Sequence, residues 1–411
     1  MRPNSPPPAT YDSIYCLFLT THNSYLPSES FIFTIMKRIM HRIWLAIPFL
    51  VLAVLGWAAV MNVTVASASD KPTAADSVIV VPEPVGALLI FHDALAREDY
   101  VAARVVVDSL KAMDDPQMKP WMRVMRATII LTIAIDFNVE ERENLFHSDL
   151  KAAARAFRWT LEQEGEESTP ERRASLHAVL GTILLLDAQW ENEMDGDVLK
   201  SLGPANEGYG EMKAALELDP DRMDALLGVA AYRFFKSNAL KFLAWTPFVS
   251  DYREESIADI RQVVATFCPA QAGAVTTLAW ALIEMDRPEE AVTVCEEWLD
   301  QLSNPRHLLE PYAKAYFVAE QWDEARDSYD MYLEAIRSGS QLNTGRLLGA
   351  LNRAILCANE QQDWAAVIEY ADEGLSQPLT EDVWSDYRTF HDGFERYKRN
   401  AAKKLAGDGQ D

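Results

Sequence analysis

Leu278-Ala279-Trp280-Ala281-Leu282 and Tyr312-Ala313-Lys314-Ala315-Tyr316 stand 34 residues apart and share one pattern: large, small, two free positions, large. A second element follows each at the same distance. Ala291, Cys295 and Trp298 follow the first copy; Ala325, Tyr329 and Tyr332 follow the second. Apolar residues three and four apart mark one face of a helix. Two such faces per repeat make a helical hairpin, and Ala291 and Ala325 let its two helices approach closely. A hairpin of this size cannot bury its apolar face alone. It stacks on copies of itself, and the stack is a solenoid.

Weaker copies extend the pattern in both directions. Ile90, Phe91 and Ala94, then Tyr100, Ala103, Val107 and Leu110, give a first repeat. Tyr100 precedes Ala103 by three positions, as Trp322 precedes Ala325, and an aromatic there packs across the inter-helix turn. Pro116 and Pro120 then break the chain. Trp121 to Ile135 is strongly apolar, but Arg123 and Arg126 interrupt it, which fits a buried helix rather than a membrane span. Thr169-Pro170-Glu171 reads as a helix start with Thr as N-cap. Leu180-Gly181 opens a further repeat, whose second helix carries Ala215 and closes on Pro220. Between them Gly196, Gly203 and Pro204 predict an expanded loop over about Asn192 to Asn206. The last full unit carries Leu351, Ala354, Ala358, Trp364, Val367 and Gly374, shifted by an insertion around Ser338 to Gly345. Glu381 to Leu405 is an amphipathic terminal helix, the expected cap of a solenoid.

Composition excludes several function classes. The 411 residues hold 38 Lys+Arg against 62 Asp+Glu, a net charge of −24 that repels phosphate backbones and argues against a nucleic-acid ligand. The four cysteines form no CxxC pattern, so neither a metal site nor a disulfide framework is expected. Cys295 and Cys357 lie at helix-packing positions and read as small buried hydrophobes. His92, His147, His177, His307 and His391 are scattered, without an H-E-x-x-H. No phosphate-binding glycine loop and no G-x-S-x-G occurs. The expectation is therefore a protein without cofactor, metal or catalytic residues.

The N-terminal region predicts export. Ile43 to Met61 is a 19-residue run without charge, preceded by Lys37, Arg38 and Arg42 and followed by Ala66-Ser67-Ala68. A basic start, an apolar middle and a small-x-small end make a secretory signal. The run also suffices to span a bilayer, so an uncleaved anchor is the alternative. The expected organisation is an extension over 1–35 with Met36 as initiator, a signal or anchor over 36–68, a linker over 69–84, a helical solenoid over 85–405 and a tail over 406–411.

The repeat pattern resembles the tetratricopeptide repeat superfamily over roughly residues 85 to 400, with Ala279 and Ala313 where Gly is common and Val367 where a small residue is usual. The stretch Tyr232 to Ile260, with Pro247, Asp251 and Arg253, also resembles the inclusion-body clearance branch of that superfamily. The resemblance implies an all-α, right-handed solenoid whose first helices line a groove that holds another protein. In that register Thr276, Trp280 and Ile283, then Glu310, Lys314 and Phe317, then Asn352, Arg353 and Leu356 point inward. Trp280 and Phe317 are candidate aromatic anchors, and Lys314 and Arg353 a candidate carboxylate clamp. Glu310 and Asn352 complete the candidate groove. The expected partner is a protein of the cell envelope, periplasmic or reached from an inner-membrane anchor. A small molecule or lipid enclosed by the helices, in an accessory role in envelope transport, is the alternative. An enzyme is the weaker third reading, to be revived by polar residues of perturbed pKa in a cleft.

Overall fold

The computed structural model describes residues 83–165, 168–194, 198–239, 250–302, 305–339, 342–378 and 381–407. The expected extension, signal or anchor, and most of the linker lie outside them, as do Pro247 and the end of the tail. Among the described residues there are fifteen α-helices and no strand. They run as hairpins: α1 (Val85–Ala96) with α2 (Tyr100–Ala112), α3 (Lys119–Phe137) with α4 (Glu143–Glu164), and α5 (Pro170–Glu193) with α6 (Val198–Leu218). Then come α7 (Met223–Ala239) with α8 (Arg253–Val264), α9 (Gln271–Glu284) with α10 (Pro288–Leu302), α11 (Arg306–Val318) with α12 (Trp322–Arg337), and α13 (Thr344–Glu360) with α14 (Trp364–Ser376). Helix α15 (Glu381–Gly407) caps the stack through buried Phe394, which meets α14 at Gly374. This is an all-α solenoid of hairpins.

Four of these hairpins turn in the same way. Glu98, Asp286, Glu320 and Gln362 have φ of 56°, 58°, 56° and 59°, each two residues before the second helix of its hairpin. The next N–H in each turn reaches back five residues: Asp99 to Ala94 at 2.9 Å, Arg287 to Leu282 at 2.9 Å, Gln321 to Tyr316 at 3.0 Å and Asp363 to Ala358 at 2.8 Å. A left-handed residue closed by such a bond satisfies the orphan carbonyls at a helix end. The aromatic at the following position, Tyr100, Trp322 or Trp364, opens the second helix in three of them. Asp99 and Asp363 then cap those helices by accepting the N–H of Ala102 and Ala366.

The small residues sit where the pattern places them. Ala103, Ala215, Ala291, Ala313 and Ala325 are fully buried, with Leu180 and Leu278 beside them in the core. Tyr329 is buried as well, while Tyr312 and Tyr316 are half-buried and donate their hydroxyls to Glu296 on α10. Thr169 caps α5 as read, and the apolar stretch from Trp121 forms the buried face of α3. Among the described residues no helix is long and apolar enough to cross a membrane.

Three sequence readings are corrected. Ile90 is exposed, and Phe91 takes the core position of α1. Pro120 opens α3 instead of breaking the chain, since a proline costs nothing in the first turn of a helix. The expanded loop expected over Asn192 to Asn206 is mostly helix: α5 runs to Glu193, and α6 starts at Val198 and carries Pro204 inside it. Pro204 removes one hydrogen bond near the start of α6. A Cβ on Gly181 would lie 3.0 Å from the carbonyl of Gly208, and one on Gly208 would lie 3.1 Å from that of Gly181. Two glycines thus let α5 and α6 touch backbone to backbone.

Candidate functional site

The face made by the first helices of the hairpins holds the predicted groove residues and also an element that periodicity does not predict. Residues 83–99 lie on it. Helix α1 packs against α9, and Ala96 joins the apolar core built from α9 onward. Glu83, just before α1, accepts hydrogen bonds from Ser175 on α5 (2.6 Å) and from Arg222 just before α7 (2.9 and 3.2 Å). Glu98, just after α1, receives Arg306 and the backbone N–H of His307 (3.1 Å) at the start of α11. Pro305, the N-cap residue of α11, offers no capping side chain, so Glu98 supplies the missing acceptor from 209 positions away.

The contact widens into a buried ionic chain. Arg306 also reaches Asp136 at the end of α3 (3.4 Å) and lies over the Phe137 ring at 5.1 Å. Asp136 accepts from the Tyr100 hydroxyl and pairs with Arg346 on α13 at 3.7 Å. Arg346 donates to Glu310 (3.2 Å), which also accepts from the Tyr332 hydroxyl (3.0 Å). Asn343 caps α13 through its oxygen and donates its amide N–H to the carbonyl of Asp136 at 2.8 Å. Glu98, Asp136 and Arg306 side chains are only 12%, 10% and 10% exposed.

Burial and charge divide the two carboxylates. Burial pushes Glu98 up, but the hydrogen bonds from His307 and the charge of Arg306 outweigh it and hold the carboxyl at about 2. For Asp136 burial wins, aided by the nearby charge of Glu98, and its pKa is raised. Two carboxyls pushed apart in this way often mark acid–base chemistry. Here both oxygens of each are engaged by side chains or backbone of the same chain. The arrangement performs closure: it ties the first two hairpins to the sixth and seventh.

The predicted groove residues divide between this closure and the surface beyond it. Glu310 belongs to the ionic chain. Lys314, Phe317 and Arg353 are brought together farther along α11 and α13. The Lys314 ammonium lies 5.4 Å and the Arg353 guanidinium 5.1 Å from the centre of the Phe317 ring, all three side chains half-buried. Phe317 also meets Trp322 and Tyr329 edge-on at 5.4 and 6.3 Å, which fixes the ring against the second helix of its own hairpin. Trp280 and Asn352 are half-buried on the same register, whereas Ile283 is buried in the core. Glu83, Glu98, Asp136, Arg222, Arg306 and Arg346 were not singled out by the pattern. Their partners lie too far along the chain for local spacing to reveal them.

The fold is tetratricopeptide-like. Its 34-residue hairpin period, buried alanines and shared turns carry that statement. No family model matches the sequence, and no curated protein sequence matches it. Among solved structures, a tetratricopeptide repeat protein from Parabacteroides merdae is 12% identical, with a TM-score of 0.34 over 74% of this chain and 97% of that one. Yeast Tom70 is 12% identical, with a TM-score of 0.31 over 78% and 84%. The tetratricopeptide domain of P58(IPK) is 17% identical, with a TM-score of 0.22 over 67% and 79%.

Proposed function

We propose that this chain is a protein-binding scaffold of the cell envelope, exported or held by an N-terminal anchor. The observation that carries the binding site is the Phe317 ring flanked by Lys314 and Arg353 from two successive first helices. A half-buried aromatic between two cations suits an acidic or carboxylate-bearing segment with an apolar neighbour. The ring gives an apolar platform, and the cations fix the direction of the bound chain. Cations stacked on an aromatic lose less freedom on binding, because the ring already orders them.

The envelope part of the proposal rests on Lys37, Arg38 and Arg42, the uncharged run Ile43 to Met61, and Ala66-Ser67-Ala68. The alternative is a lipid or small molecule enclosed by the first helices. Reversing both charges, Lys314→Glu with Arg353→Glu, is expected to weaken partner capture at least ten-fold while the melting temperature stays within a few degrees of wild type. Unchanged capture in that double variant would remove the binding site from this face.

A further inference from the structure

The first and last hairpins of the stack differ in what they leave open. Over the last one lies α15, with Phe394 buried against Gly374. The first one exposes apolar side chains. Of the thirteen large hydrophobic residues exposed among the described residues, five lie between Val85 and Met113. Two of these, Val101 and Val105 on α2, are 72% and 58% exposed. The outer face of a terminal repeat is ordinarily polar, and apolar side chains gathered on one exposed surface mark a contact. The pattern along α2 narrows down what that contact is. Val101, Val105, Asp108 and Ala112 are spaced by four, three and four, so they form one seam along the helix, and all four are exposed. The buried Ala103, Val107 and Leu110 lie on the opposite side. Arg104 flanks the seam one turn before Asp108 and is exposed as well. Among the described residues neither Arg104 nor Asp108 has an ionic partner within the chain.

We propose that α2 is the contact through which two copies of this chain associate, seam against seam and antiparallel about a two-fold axis. The occupant is argued from charge complementarity. A two-fold axis passing level with Val106 sets Val105 against Val105 of the other copy and Val101 against its Ala112. It also brings Arg104 of each copy to Asp108 of the other, because both residues lie on the same flank of the seam and equally far from the axis. The seam is thus complementary to itself, as a two-fold interface requires. A parallel pairing would set Asp108 against Asp108, which like-charge repulsion disfavours. A lipid surface would leave Asp108 in the seam without a cation. The helix has thirteen residues, a length of roughly 20 Å. A contact of that length lies at the small end of specific interfaces, so the dimer is reversible, with a dissociation constant on the order of micromolar. It involves different residues from the Lys314–Phe317–Arg353 site and stands or falls separately.

The test is co-capture of two differently tagged full-length chains, expressed together and solubilised in non-ionic detergent, with sedimentation velocity giving the size of the purified species. Wild-type chains capture each other and sediment as a dimer at tens of micromolar. Arg104→Asp alone and Asp108→Arg alone each lower self-capture at least ten-fold, at an unchanged melting temperature. Mixed together, the two single variants capture each other at close to the wild-type level, since every guanidinium again meets a carboxylate across the axis. The double exchange Arg104→Asp/Asp108→Arg restores self-capture for the same reason. Three results overturn the proposal: a wild-type chain that is monomeric at these concentrations, self-capture that survives either single exchange, or loss in the single variants without recovery on mixing. The second would place the association elsewhere in the chain, residues 1–82 included.

Discussion

Glu98 carries two roles at one position. Its backbone occupies the left-handed turn shared with Asp286, Glu320 and Gln362, and its carboxylate caps α11 and binds Arg306. A non-glycine residue in this conformation costs about 1 kcal/mol. Glu320→Gly is therefore expected to raise stability by roughly 0.5–1 kcal/mol, since Glu320 is exposed in the equivalent turn. Glu98→Gly is expected to lower it by about 3 kcal/mol, because Arg306 is left buried without its carboxylate. Chemical denaturation of both variants checks the pair; equal effects would deny Glu98 its ionic role. The pH dependence follows from the same carboxylate. Its folded-state pKa of about 2 lies below the ordinary 4.5, so its stabilisation is complete above about pH 5 and is lost as pH falls toward 2. Asp136, shifted upward, works in the opposite sense as pH falls. The stability gap between wild type and Glu98→Gln should thus narrow between pH 6 and pH 2.5. A gap that stays constant would place the effect of Glu98 outside its charge.

Within each element the pattern and the structure agree where local spacing decides. Buried Ala325 between Trp322 and Tyr329 is an example, as is the Thr169 cap. Ala325→Trp should cost at least about 3 kcal/mol, because α11 and α12 have no room for an indole between them. A melting temperature like that of wild type would contradict the hairpin register. Composition misled at Asn192 to Asn206. Glycine and proline usually mark loops, but here α6 carries Pro204 inside it, and Gly208 lets it approach α5 at Gly181. The pattern read Phe317 as an inward aromatic; in the structure its ring is held by Trp322 and Tyr329 and lies against two cations. The closure was not legible. Asp136 and Arg346 sit on ordinary helices, and what joins them is the path of the solenoid rather than a spacing in the sequence.

At the scale of the whole molecule, the hairpins form a solenoid whose first helices carry two surfaces. One, at the starts of α11 and α13, is taken by residues from α1 to α3. The other, around Phe317, is proposed to receive the partner. The chain's acidic excess, −24 in total, directs any such partner to the few places where cations gather. The most direct test is crosslinking in the native host of a C-terminally tagged chain, read by mass spectrometry, for wild type and Lys314→Glu/Arg353→Glu in parallel. A scaffold acting through Phe317 predicts one stoichiometric envelope protein on the wild-type chain and its loss from the folded double variant. A co-purifying lipid or small molecule with no protein partner, or the same partner retained by the double variant, would contradict it.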